Sequence, residues 1–284
     1  MLMKDALFTR ARALGFGRAA VADPRPMNRW LQAAQADPRP NWANICFDPN
    51  SIMPGARAAV VLAYPYRPYG RRAGEPWLDA YYVASNTAHE RAKELAEWLL
   101  NQGYSALPSP SIPYKPLVER CGLGRYGKNG VVAVGELGSR VALQVILTDA
   151  PLTPDADLDN PGFSDECKSC RACAVACPTG ALEADGRVDM DLCLRALVRT
   201  PPVPEPYRHL FTSLLGCDLC QRHCPRNRAV VDIDMPDELM RLIRLDRLLA
   251  GEIEPLSPWV GANNARKGRV LSAAALVAAN LKRL

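Results

Sequence analysis

Ten cysteines among 284 residues is a high count, and eight of them fall between positions 167 and 224. Cys167, Cys170 and Cys173 are separated by two residues each; Cys177 follows after three more and is itself followed by Pro178. Gaps of two residues let three thiolates of one tight loop curl round one four-iron, four-sulfide cubane, while the fixed φ of the proline sends the fourth thiolate away from it. A second loop, Cys217, Cys220 and Cys224 before Pro225, lacks a first cysteine, and Cys193 lies upstream to supply it. A structural zinc site needs neither the third cysteine of such a run nor a proline after both loops. Eight thiols therefore match two 4Fe–4S clusters, and the chemistry they offer is one-electron transfer.

The run resembles that of two-cluster ferredoxins, whose loops exchange their last ligand. That resemblance implies a first cluster on Cys167, Cys170, Cys173 and Cys224, and a second on Cys177, Cys193, Cys217 and Cys220. Lys168, Arg171, Arg222, Arg226 and Arg228 stand beside the ligands and could offset their negative charge. His223, next to Cys224, reads as a surface side chain, with a hydrogen bond to cluster sulfur as the alternative. Cys46 and Cys121 have no partner at ligand spacing and read as small buried thiols.

The rest of the chain has to position these loops and do something with their electrons. Its composition, 48% hydrophobic and 23% charged with a net charge of +5, is that of an ordinary folded chain and excludes fibrous, disordered and disulfide-miniprotein classes. Basic residues are scattered, so nucleic-acid binding is permitted and not implied. The N-terminus shows no signal-peptide core and no twin-arginine signal, and the least polar stretch, 270–281, is short of the ~20 residues a membrane span needs, which makes the cytoplasm the expected location.

Residues 4–14 carry apolar side chains at helical spacing before Gly15, and 18–22 read as a short strand. The six prolines between 23 and 54 predict a long ordered loop. Residues 58–63 (AAVVLA) predict a central strand buried on both faces. Thr87 with Glu90 forms a capping-box pattern that predicts a helix up to Gly103. Residues 131–134, the turn at 135–139, and 140–148 predict a hairpin. Residues 201–206 predict an irregular excursion, and 236–250 and 266–283 predict helices.

From Asp48 to Asn280 the chain resembles the epoxyqueuosine reductase family, which is related to reductive dehalogenases. The landmarks are Asp48-Pro49, the Pro54-Gly55-Ala56-Arg57 lead into the 58–66 strand, Cys121-Gly-Leu-Gly-Arg-Tyr-Gly-Lys-Asn129, Gly138-Ser139, Ile146-Leu-Thr-Asp149, and the two cysteine loops with Cys193 between them. The resemblance implies an α/β (or α+β) cobalamin-binding domain over 1–158, a ferredoxin-like domain with two 4Fe–4S clusters over 159–230, and a helical tail over 231–284. It implies that Gly124, Gly127, Lys128, Asn129, Gly138 and Ser139 lie against a base-off cobalamin, with no histidine on the lower cobalt face. Electrons would pass from an external donor such as ferredoxin or flavodoxin, through the clusters and cobalt, to a small-molecule or modified-nucleoside substrate. This makes the chain an oxidoreductase.

Two departures stand out. The family's proton-donating Asp falls on Pro108, or on Pro113 with a gap, and its Asp-Tyr-His sequence is reduced to Thr87-Ala88-His89. Related dehalogenases pair a tyrosine acid with a basic residue, and that resemblance implies Tyr114 as the acid and Lys115 as its charge partner, the alternative being ordinary loop residues, with His89 on a helix resembling a substrate-side element as the further catalytic candidate. The family also continues into a helical-repeat domain that helps hold tRNA, whereas this chain shows one matching helix, so tight tRNA binding is not expected. The alternatives are an electron-transfer protein without a corrin and a shortened tRNA epoxyqueuosine reductase.

Overall fold

The computed structural model describes residues 2–36, 45–158, 162–199 and 202–282. Its contacts divide into two compact units, the first made of 1–65, 88–126 and 132–164, the second of 66–87, 127–131 and 165–284. The chain thus leaves the first unit twice before the cysteine loops begin, and the C-terminal helices belong with those loops.

In the first unit, helix α1 (Leu2–Ala13) ends before Gly15, whose φ of +90° suits glycine. Strand β1 (Arg18–Ala22) follows, as its pattern predicts. The proline-rich stretch is not wholly a loop. Helices α2 (Asn28–Ala36) and α3 (Pro49–Ile52) occupy part of it, because Pro24, Pro26 and Pro49 stand before a helix or in its first turn, where proline is tolerated. Pro38 and Pro40 lie outside the described residues.

Strand β2 (Ala58–Pro65) is central, in a four-stranded antiparallel sheet of order β1-β2-β7-β4, with β4 at Ala106–Pro108 and β7 at Val141–Thr148. All six residues of its apolar run are fully buried. By the pleat, Ala59, Val61 and Ala63 face one side with Val145 and Leu147 of β7, and there α5 (Tyr114–Arg120) contributes Leu117 and Val118 to a common core. Val60, Leu62 and Ile146 face the other side and are buried as well.

Two expectations are corrected here. The helix through Thr87, α4, begins at Tyr81, so Thr87 lies inside it and caps nothing; Asp79 accepts from the Tyr81 N–H at 3.0 Å instead. Residues 131–134 and 140–148 do not pair with each other. Strand β6 (Val132–Ala133) pairs with β5 (Arg125–Tyr126), and β7 pairs with β2 and β4. Between β6 and β7 a 3-10 turn at Gly135–Leu137 redirects the chain.

In the second unit, β3 (Trp77–Leu78) pairs in parallel with β8 (Ser213–Leu215). The predicted helix over 236–250 is two short ones, Asp237–Leu242 and Leu245–Leu249, and the terminal helix runs Lys267–Leu281 as expected. Asn280 of that helix donates to the carbonyls of Arg208 and Phe211 at 2.7 and 2.8 Å, which fixes a 3-10 segment (Glu205–Leu210) that begins at the end of the predicted excursion. Among the described residues no helix is long and apolar enough to cross a membrane.

Candidate functional site

The cysteine loops are built from single helical turns, at Asp165–Lys168, Ala172–Val175, Leu194–Leu197 and Leu219–Arg222, each carrying or adjoining one or two thiols. Short turns with two-residue gaps aim neighbouring thiols toward one point. All ten cysteines are free thiols, and the eight of the loops are half-buried.

Their mutual electrostatics show which of them lie close together. Burial raises the Cys224 thiol above its ordinary pKa, and charge on Cys167 and Cys170 raises it further. Cys173 is raised by burial and then by Cys224 and Cys170. Burial pushes Cys217 up to about 11, with Cys193 and Asp218 adding to it. Cys220 is pushed up to about 12 by burial, then by Cys217, Cys193, Cys173 and Cys177. Cys224 thus feels Cys167 and Cys170, Cys173 feels Cys224 and Cys170, and Cys220 feels Cys217 and Cys193 together with both Cys173 and Cys177. Eight gathered thiolates repel one another unless a positively charged core lies between them, which fits the donor set to iron–sulfur clusters. Among the described residues no three His, Cys, Asp or Glu side chains are set to hold a single metal ion.

The charges around the loops are less simple than their sequence positions suggest. Arg226 lowers the Cys224 thiol, as expected, while its guanidinium also reaches Glu166 at 3.3 Å. Lys168 pairs with Asp165 at 2.6 Å, and Arg222 with Asp218 and Asp232 at 2.9 and 2.8 Å. His223 is exposed, with Nδ1 2.9 Å from the Leu219 carbonyl, and so reads as the surface side chain it was expected to be. Cys121 is buried, and burial pushes its thiol up to about 11. Cys46 is half-buried and donates to the Asp48 carbonyl at 3.1 Å.

Two residues missed from the sequence organise the second loop. Asp218, between Cys217 and Cys220, is fully buried and holds Arg71 at 2.6 Å as well as Arg222. Arg71 lowers the Cys217 thiol and lies over the Trp77 ring at 4.3 Å. Only the arginine-rich stretch at 67–72 hints at this, because the pairing spans 147 residues.

The glycine hairpin is placed residue by residue. A Cβ on Gly124 would lie 2.4 Å from the Ala133 carbonyl oxygen, so close packing of β5 on β6 requires this glycine. A Cβ on Gly127 would meet Asn129 Oδ1 at 2.9 Å and stand 3.7 Å from Cys167 Sγ. Lys128 Nζ donates to the Lys168 carbonyl at 2.8 Å, and Asn129 Oδ1 accepts from the Val131 N–H at 3.2 Å. The 127–131 turn is therefore tied to the first cysteine loop. Gly138 adopts φ +62°, ψ −147°, a conformation reserved for glycine, and Ser139 after it is buried.

His89, on α4, has Nδ1 2.7 Å from Ser109 Oγ. Tyr114 and Lys115 open α5, a helix where a loop was the alternative reading; Tyr114 packs on the sheet core and the Lys115 ammonium lies 5.8 Å over the Tyr126 ring.

The cysteine segment alone defines a class: residues 166–227 match the family model described as "4Fe-4S double cluster binding domain". Over the longer chain, a curated epoxyqueuosine reductase from Gloeobacter violaceus is 32% identical over 248 residues, covering 77% of this chain and 74% of that one. The chain belongs to the epoxyqueuosine reductase family. It spans about half the length of other curated relatives it matches, such as that of Bacillus cereus, which is 30% identical over 203 residues with 51% of its length covered. A crystal structure of an epoxyqueuosine reductase with an epoxyqueuosine-modified tRNA stem loop superposes with a TM-score of 0.79 at 22% identity, over 99% of this chain and 82% of that one. A reductive dehalogenase structure, described as suggesting a mechanism for B12-dependent dehalogenation, shares the fold at a TM-score of 0.55 and 20% identity, over 97% of this chain and 35% of that one.

Proposed function

We propose that the chain is an iron–sulfur, cobalamin-dependent reductase acting on an epoxide of a modified nucleoside. The observation that carries this reading is the gathering of eight half-buried thiols, several close enough for their charges to act on one another, in the segment that matches a 4Fe-4S double cluster domain. Cys167, Cys170, Cys173 and Cys224 would hold one cluster, and Cys177, Cys193, Cys217 and Cys220 the other, each supplying one electron at a time. Cobalamin, when bound, would supply a low-valent metal able to take those electrons to carbon. Lys128, Asn129, Gly138 and Ser139 would hold it, with Gly124 and Gly127 keeping the hairpin free of side chains.

Opening an epoxide to an alkene consumes two electrons and two protons and releases water. The chain must therefore supply proton donors as well as ligands, and His89, Tyr114 and Lys115 are the side chains proposed for that work. Asp218 keeps Arg71 and Arg222 in place against the second loop and so holds the position of Cys217 and Cys220. The electron donor would be a ferredoxin- or flavodoxin-type protein. The relatives' name and the stem-loop complex favour a nucleoside within tRNA over a free small molecule.

The test is anaerobic. Purified protein should carry about eight iron and eight sulfide, and its visible spectrum should change on titration with cobalamin. An epoxyqueuosine-bearing anticodon stem loop given dithionite-reduced holoprotein should yield queuosine by nucleoside mass spectrometry. Eight irons with no cobalamin binding would favour an electron-transfer protein instead, and stoichiometric zinc would refute both readings.

A further inference from the structure

Among the described residues Ser109 is the one non-glycine residue in the left-handed region, at φ +54°. That conformation is unfavourable for a side-chain-bearing residue, and such strain persists only where the surroundings enforce it. The enforcement is visible. Ser109 follows β4, its N–H donates to the Val145 carbonyl at 2.8 Å, and its hydroxyl is held between two side chains, His89 Nδ1 at 2.7 Å and Gln144 Oε1 at 2.9 Å. Gln144 is buried on β7, while the His89 side chain remains 38% exposed.

The direction of these bonds follows from what each atom can do. An amide oxygen only accepts, so the Ser109 hydroxyl gives its proton to Gln144. Its oxygen must then accept from His89, which places a hydrogen on Nδ1 and, in the neutral ring, leaves Nε2 bare. Nε2 stands 4.0 Å from Glu90 Oε1, beyond hydrogen-bond reach.

We infer that Ser109 and Gln144 are positioning residues that hold His89 in the Nδ1–H form, so that Nε2 is the atom through which the ring exchanges a proton with the substrate. The inference rests on the reductase reading above for its substrate, an oxygen released from carbon. The imidazolium gives its Nε2 proton to that oxygen and becomes the neutral Nδ1–H ring its partners already favour. A proton from solvent then restores Nε2–H through the exposed edge. No electrons move in this step, and one proton is transferred and one regained.

The chain's three histidines make the test direct. In 15N-histidine-labelled holoprotein, His89, assigned by loss of its signals in His89→Gln, should show a protonated Nδ1 and an unprotonated Nε2. Ser109→Gly removes the hydroxyl and suits the backbone, so the variant should fold at least as stably as the parent, yet its His89 should move to the Nε2–H form common in water. With turnover measured, Ser109→Gly should lower kcat on the order of tenfold, and His89→Gln by roughly a hundredfold, with KM little changed. A protonated Nε2 in the neutral parent, or a tautomer indifferent to Ser109→Gly, overturns the inference. So does an active enzyme whose kcat ignores both substitutions. Failure of the reductase reading looks different: no turnover of any epoxide substrate, while the tautomer signals still decide the positioning role.

Discussion

Single side chains separate what spacing reveals from what only packing reveals. The eight thiols stand out because their ligand geometry is local, three from one loop and a fourth from the next. Substituting Cys193→Ala should remove about four irons and leave the signal of the first cluster, whereas Cys224→Ala should remove the other four, the two variants giving complementary EPR spectra. Identical spectra would show that the ligands are shared differently. Asp218, Arg71 and Ser109 were not legible, since a buried carboxylate, an arginine 147 residues away and a strained φ leave no periodic trace. Asp218→Asn takes away the buried carboxylate charge that Arg71 and Arg222, 33% and 19% exposed, share, so it should cost on the order of 2 kcal/mol, read as a fall in melting temperature with iron content lost first from the second cluster. Cys121 carries a pH dependence of its own. Its thiol is raised from 9.0 to about 11 by burial, so the stabilisation is complete below pH 9 and is lost as the pH climbs from there toward 11. The loss should reach about 2 kcal/mol in denaturant titrations and should be absent from Cys121→Ala.

Elements were legible where one local signal governs them. The amphipathic first helix, the strand over 18–22, the unbroken apolar strand over 58–63 and the terminal helix all form where their residues predict. The others were decided by distant partners. Helix α4 starts at Tyr81, where the half-buried Tyr81 and buried Tyr82 rings pack against the Arg195 guanidinium at 4.6 and 5.7 Å, which outweighs the capping signal at Thr87. Strand β7 abandons its sequence neighbour because β2 and β4 offer it pairing along both edges. At this scale the hairpin of β5 and β6 makes a sharp prediction. Gly124→Ala drives a methyl group into the backbone of Ala133 and should cost about 2 kcal/mol, visible as a lowered unfolding midpoint. Gly55→Ala, at φ +82° in open space, should cost about 1 kcal/mol from its backbone alone.

For the whole molecule, the modest charge of +5 sets what a polyanionic partner would feel. Attraction to an anticodon stem loop should be mainly phosphate contact, so the dissociation constant should rise steeply between about 50 and 200 mM salt. A salt-insensitive constant in fluorescence anisotropy would point to base recognition in its place. The 217–224 loop has a consequence in time. Under the proposed sharing it completes both clusters at once, and it leaves the ribosome forty or more residues after Cys173 and Cys177, directly behind Ser213–Leu215, the partner of Trp77–Leu78. A nascent chain stopped at position 200 would hold five of the eight thiols and no complete set of four. Filling of either set would therefore wait until this loop has been made, and a protease cut that releases it would discharge the two centres together.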